Sequence, residues 1–272
     1  MLMTMQLQAQ FSIFGNVPAE SKQTISLPDK PNRVDSLGRK QGEWAKKYAN
    51  GRYRYTATFK DDRIVGTLTR FHDNGQPSAK LVYREGNDTC RAEMFDEKGH
   101  RIGCGNFVGD KKEGTWMVYS QHNVLLAREP YRHGLLHGTV LEYYENGNVS
   151  SEINYYNGIR HGAWIQYFPG GAIHLIATYD NDRLQGKYKV NGTNGKVCIQ
   201  GTYKDGVSVG TWTAYDEERD EFFELRYDDN GRLTNQKEVD ARMQQKLDKS
   251  EQNRKFLKDP EQYRQDPEGY MR

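Results

Sequence analysis

The sequence predicts an all-β protein: an elongated single-layer antiparallel meander of eight 24-residue hairpin repeats, closed by a C-terminal helix. Three observations carry that prediction. Glycine recurs on a 24-residue comb at Gly42, Gly66, Gly114, Gly138, Gly162, Gly186 and Gly210, with Cys90 in the one vacant tooth. An aromatic ring stands 17 residues after every tooth, at Phe59, Tyr83, Phe107, Tyr131, Tyr155, Tyr179, Tyr203 and Tyr227. Apolar and polar residues alternate through the second half of most units, as in Val149, Ser151, Ile153 and Tyr155 against Ser150, Glu152 and Asn154. Period two with one apolar face marks a half-buried strand, and a fixed period without insertions marks a repeat architecture.

Along the chain, residues 1–10 (MLMTMQLQAQ) are apolar and uncharged and read as a signal-peptide remnant cut near Ala9. Residues 11–41, punctuated by Pro18, Pro28 and Pro31, read as an extended N-terminal arm that can cover the edge of the first hairpin. The repeat domain is 42–233. Two residues after each tooth comes a large apolar side chain in most units (Trp44, Leu68, Trp116, Val140, Trp164, Tyr188, Trp212). Five residues after it come Phe71, Phe95, Tyr119, Tyr143, Tyr167 and Tyr215. Asn50-Gly51, Asn74-Gly75, Asn146-Gly147 and Asn194-Gly195 then signal hairpin turns, expected as type I′ with positive φ at both central residues. A second turn follows each ring, as at His133-Gly134, Asn157-Gly158 and Asp205-Gly206. Sixteen strands at ~4.8 Å make a ribbon about 75 Å long. Residues 234–258 are rich in helix formers, and Val239, Met243 and Leu247 form a narrow apolar stripe expected to cap the last hairpin. Residues 259–272 read as a flexible tail.

Composition narrows the chemistry. Lysine and arginine (39) nearly balance aspartate and glutamate (37), so no strong field favours nucleic acid. No apolar run reaches the ~18 residues of a membrane span. Three cysteines cannot all pair internally. Of the seven histidines, His137 and His161 hold the same place in adjacent units, about 9.6 Å apart by strand spacing, too far to converge simply on one metal. No nucleophile elbow, phosphate cradle or unit-specific carboxylate pair occurs. The expectation is a protein that is not an enzyme and uses no cofactor or metal. The aromatic ladder of Trp116, Tyr131, Tyr143, Tyr155, Trp164, Tyr167, Tyr179, Tyr203, Trp212 and Tyr227 is the candidate partner-binding or structural surface.

GAWIQYFPGG (162–171), GTVLEYYENG (138–147) and GTWTAYDEER (210–219) carry a repeated Gly-x-Trp-x-x-Tyr phrase, with DSLGRKQGEW (35–44) as lead-in. This motif resembles the MORN-repeat variant, and the chain resembles the bacterial YwqK-like antitoxin family over about residues 33 to 233. The resemblance implies an elongated β-meander acting as a protein-interaction or lipid-associated module. Together with the amino-terminal stretch, it gives the expected function: a non-enzymatic docking subunit or scaffold at the bacterial periplasm or cell envelope, holding a component of an envelope or secretion assembly. Peripheral membrane association is compatible with that expectation. The alternative is a cytoplasmic antitoxin or immunity-type protein that neutralises a cognate toxin.

Overall fold

A computed structural model describes residues 31–254, apart from 85 and 87. The 1–10 segment, most of the 11–41 arm and the 259–272 tail lie outside the described residues. Among the described residues, one antiparallel sheet carries nineteen strand segments. The pair Arg33–Val34 precedes the first unit. Leu135–Leu136 and Arg183–Leu184 each continue across one residue into Gly138–Tyr143 and Gly186–Asn191, which leaves sixteen strands, two per unit. The first unit is Lys40–Lys47 with Tyr53–Lys60, the next Arg63–Phe71 with Pro77–Tyr83, and the last Val207–Asp216 with Glu221–Tyr227. Each strand pairs with its predecessor and successor, so the sheet is an unclosed meander.

Register explains the comb. Each tooth lies directly opposite its own unit's ring: Gly42 with Phe59, Gly66 with Tyr83, Gly114 with Tyr131, Gly162 with Tyr179, Gly210 with Tyr227. The comb glycines all have positive φ, from 68° to 113°. Beyond the first unit they need it because the preceding strand meets them at a bulge. Thr56 pairs with Thr69 but Thr58 with Val65, and Gln200 with Thr213 but Thr202 with Val209, which leaves the glycine inside the irregular stretch. Glycine alone adopts that backbone freely. In the unit at 90 the bulge is absent: Tyr83, Val82 and Leu81 pair in unbroken register with Cys90, Arg91 and Ala92. The vacant tooth and the missing bulge are one fact.

The turns differ from the sequence expectation. At Asn50-Gly51 only Gly51 has positive φ (83°); Gly51 N donates to Tyr48 O (3.0 Å) and Tyr48 N to Arg52 O (2.8 Å). This is a three-residue loop, a type I turn closed by a left-handed glycine, and the loops at Gly75, Gly147 and Gly195 repeat it. Asparagine is there for its amide. Asn50 Oδ1 accepts from Arg52 N (3.0 Å), and its Nδ2 donates to Asp73 O of the next unit (3.0 Å). Asn74 reaches Glu97 O (2.8 Å) and Asn146 reaches Pro169 O (3.1 Å) in the same way. Positive φ at both central residues occurs instead at the second turns: Asp61 and Asp62, His133 and Gly134, Asn157 and Gly158, Asn181 and Asp182, Asp205 and Gly206.

Both edges of the sheet are closed by asparagine. At the first, Asn32 Oδ1 accepts from Ala45 N (2.9 Å) while Asn32 N donates to Glu43 O (2.9 Å). At the last, the buried Asn235 accepts from Arg226 N (2.9 Å) and donates to Glu224 O (3.0 Å), standing in for an absent strand. Asn235 also starts the helix Gln236–Arg254, where Val239 N donates to its carbonyl. That helix docks by charge. Arg242 pairs with Asp216 (3.0 Å) and Glu221 (2.7 Å) and covers the Phe223 ring, while Lys246 reaches Glu218 (3.4 Å). The predicted apolar stripe does not dock as a unit: Val239 is half-buried, but Met243 and Leu247 are each 59% exposed. A step of four residues advances 400° on a helix of 3.6 residues per turn, so the stripe drifts ~40° per step away from the docked side.

Candidate interaction surface

Alternation along the strands gives the sheet two unlike faces. The rings at tooth+17 share one face with the side chains at tooth+2 and tooth+15, and their contacts build the ladder. Trp44 meets Phe59 edge-on (5.8 Å), Phe107 meets Trp116 (4.9 Å), and Trp164 lies tilted against Tyr179 (5.5 Å). Tyr188, Tyr203, Trp212 and Tyr227 form a chain with centroid distances of 4.9 to 6.1 Å. Such pairs add ~0.5–1.5 kcal/mol each beyond area burial. The ladder is broken where tooth+2 is Leu68, Ala92 or Val140, each buried.

Local sequence decides how deep each tryptophan sits. Trp116 lies over Gly105 and Trp212 over Gly201; a Cβ on either glycine would fall 2.4 or 2.0 Å from the indole. Flat on that backbone, Trp116 Nε1 donates to Asn106 O (2.9 Å) and Trp212 Nε1 to Thr202 O (3.2 Å), and both rings are 3% exposed. The equivalent residue under Trp164 is Ile153. Its branched side chain holds the indole off the backbone, so Trp164 stays half-buried and its Nε1 has no hydrogen-bond partner among the described residues.

Cations cover the margin of this face. Lys112 Nζ sits 4.6 Å from the Trp116 ring and 4.4 Å from that of Tyr131, and the Arg160 guanidinium sits 4.3 Å from that of Tyr179. Burial, then the hydrogen bond that Tyr131 donates to Glu129 (2.9 Å), pushes the Tyr131 hydroxyl up to about 12. Tyr155 is raised mainly by burial as well. None of the eight tooth+17 rings is exposed, and Phe59 and Tyr179 are buried outright.

Of the candidate ladder, Trp116, Tyr131, Tyr155, Trp164, Tyr179, Tyr203, Trp212 and Tyr227 stand on this face. Tyr143 and Tyr167 do not join them. The Tyr167 hydroxyl donates to Glu152 (2.9 Å), whose neighbours Ser151 and Ile153 point to the aromatic face, so Tyr167 belongs to the opposite side. Tyr143 lies within the field of Arg128 and Glu152 on that same side. Three residues separate tooth+2 from tooth+5, an odd step that reverses the face. The histidines are distributed rather than convergent. His137 stacks on Tyr156 (5.1 Å), His161 faces Asp180 (3.2 Å) and His133 faces Glu113 (3.8 Å).

A second row escaped the sequence reading. Tooth+18 and tooth+21 flank each second turn on the face opposite the rings. Val108 (46% exposed), Leu135 (49%), Tyr156 (60%), Ile159 (42%) and Val207 (39%) occupy those positions, a large share of the exposed apolar side chains. Exposed Lys60, Arg63, Arg84, Lys111, Arg132, Arg183 and Lys204 fill most of the others. Successive turns are joined into a rail. Gly134 N donates to Lys112 O (2.9 Å), Gly158 N to Leu136 O (2.7 Å) and Gly206 N to Leu184 O (2.9 Å). Lys111, Leu135, Arg183 and Val207 each rest within 3.1 to 3.8 Å of where a Cβ on the next turn's glycine would lie. Reading the two columns together would have found the row; the apolar members alone are spread over units and offsets.

Segments 136–157, 160–181 and 184–205, three consecutive units, match the family model described as MORN repeat variant. No curated protein matches the sequence. Among solved structures, the chain is similar to an S. aureus TarM mutant in complex with Fondaparinux, alpha-GlcNAc-glycerol and UDP. Identity there is 12%, covering 48% of this chain and 21% of that one, with a TM-score of 0.23.

Proposed function

We propose that this chain is a non-enzymatic docking scaffold that holds a protein partner along consecutive β-units, within a bacterial cell-envelope or secretion assembly. One observation carries the reading: the same side-chain columns recur from unit to unit on a hydrogen-bonded sheet, so the surface is extended and periodic. Catalysis needs unlike groups brought together at one point, whereas recognition of a long segment uses repeated contacts. The match of three units to the MORN repeat variant supports an interaction role. The helix at the last edge and Asn32 at the first blunt strand addition, which favours a face or a margin as the binding surface.

The test is crosslinking with mass spectrometry on the full chain in its native cells. The reading expects crosslinks from at least two adjacent units to one protein; crosslinks confined to residues 255–272, or none, would refute it. Placement at the envelope rests on the apolar 1–10 stretch, and amino-terminal sequencing of the native protein checks it. Loss of a toxin's activity on mixing would make the scaffold an immunity protein instead.

A further inference from the structure

We infer that the second-turn rail is the docking surface for an acidic amphipathic helix of a partner protein, carrying apolar side chains at heptad spacing. This rests on the scaffold reading and names its partner class. Charge is the first argument. Over the whole chain basic and acidic residues nearly cancel (39 against 37). The rail columns instead hold Lys60, Arg63, Arg84, Lys111, Arg132, Arg183 and Lys204, against Asp180 and Asp228 alone. Asp180 is taken up by His161 (3.2 Å). A partner that complements this row is anionic, and the interleaved Val108, Leu135, Tyr156, Ile159 and Val207 require that it also bury apolar groups.

Spacing chooses its conformation. Equivalent positions in adjacent units lie two strands apart, about 9.6 Å. An α-helix climbs ~10.5 Å in seven residues and returns nearly the same face, so one heptad serves one unit. An extended segment covers the same distance in about three residues, which turns the side chain to the wrong side, and its even steps fall at about 6.6 or 13 Å. A helix matches the repeat; a strand does not. Sheet twist limits the match to a few units, and the richest stretch runs from Val108 to Arg183, where Tyr156 pairs with Ile159 and Leu135 lies against Gly158.

Geometry also argues against a flat anionic membrane. The turn tips outside the row carry Asp61, Asp62, Asp110, Asp182 and Asp205, which a plane would meet first. Asp182 is held by Arg160 (2.8 Å), whose guanidinium covers the Tyr179 ring on the aromatic face. A narrow helix lying on the other face avoids the tips.

The test uses the full chain and a labelled 21-residue peptide of three glutamate-rich heptads with one leucine each, beside a scrambled peptide of equal composition and phosphatidylserine vesicles. The heptad peptide should bind, and the scrambled peptide should bind distinctly less. Lys111→Glu with Arg132→Glu should weaken binding about tenfold or more, Tyr156→Ser should also weaken it, and Lys98→Glu at the other margin should leave it unchanged. All four sites are exposed, and circular dichroism checks the fold of each variant. No peptide binding, equal binding of the scrambled peptide, or insensitivity to the rail changes would overturn the inference. Vesicle binding that alone responds to them would assign the rail to a membrane. A native partner whose multi-unit crosslinks survive the rail changes would sink this inference and leave the scaffold standing, whereas the absence of such a partner would sink the scaffold.

Discussion

Gly201→Ala isolates the contact that seats a tryptophan on the sheet. A Cβ at this position would lie 2.0, 2.2 and 2.3 Å from Cδ2, Cγ and Cε2 of Trp212, where ordinary contact begins at 3.4 Å. The indole must therefore retreat by more than ~1 Å, an overpacking that costs about 1–3 kcal/mol. Retreat also stretches the bond from Trp212 Nε1 to Thr202 O, already 3.2 Å, and leaves a nearly buried donor without its acceptor, worth a further ~1–3 kcal/mol. Trp212 touches Tyr188, Tyr203 and Tyr227, so the disturbance spreads through two units. The expected total is roughly 2–6 kcal/mol, read as an earlier urea transition of the C-terminal units and a red-shifted tryptophan emission. The exposed neighbour change Gln200→Ala should stay within ~0.5 kcal/mol. An unaltered transition and emission in Gly201→Ala would refute the idea that glycine is there to admit the ring.

Asn146→Ala removes bonds to Asn148 N (3.0 Å) and Pro169 O (3.1 Å) and should cost about 1 kcal/mol by thermal melting, with Gly147→Ala costing a similar ~1–2 kcal/mol through its φ of 84°; a neutral Asn146→Ala would remove the inter-unit amide ladder from the account. Tyrosines raised mainly by burial, among them Tyr83, Tyr143, Tyr155 and Tyr188, with Tyr131 at about 12, favour the folded state while protonated. Their folded values exceed the unfolded ~10, so that stability is intact below pH ~10 and is lost as pH rises toward 12. Absorbance at alkaline pH should show part of the tyrosines ionising only as the sheet unfolds, and full titration on an intact sheet would contradict the burial. Asn235→Ala strips the last edge of its stand-in partner, which should cost ~1–3 kcal/mol and promote self-association in light scattering.

Much of this architecture was legible because a 24-residue unit repeats both its signals and its contacts. The comb and the tooth+17 rings are opposite each other in the sheet, so either one announces the other, and even the exception at Cys90 has a structural counterpart. Turn type was not legible. Asn-Gly satisfies a two-residue turn through its φ and a three-residue loop through its amide, and only the hydrogen bonds distinguish them. Tyr143 and Tyr167 joined the ladder by residue type, although parity places them on the other face. Met243 and Leu247 followed a four-residue spacing that a helix cannot keep on one side. The depth of Trp164 depends on Ile153 in the preceding unit, eleven residues away, and that pairing becomes visible only once the strand register is known.

Cysteine labelling along the strand Val197–Lys204 tests the two-faced sheet most directly. In a Cys198→Ser background, single cysteines replace each residue from 199 to 204 except Gly201, where a Cβ would displace Trp212, and their rates with a water-soluble thiol reagent are compared. Slow reaction is expected at Ile199 and Tyr203, which are partly covered, and fast reaction at Gln200, Thr202 and Lys204, which are exposed. Equal rates along the strand, or fast reaction at the ring position, would contradict an aromatic face that packs on itself and a polar face left for a partner.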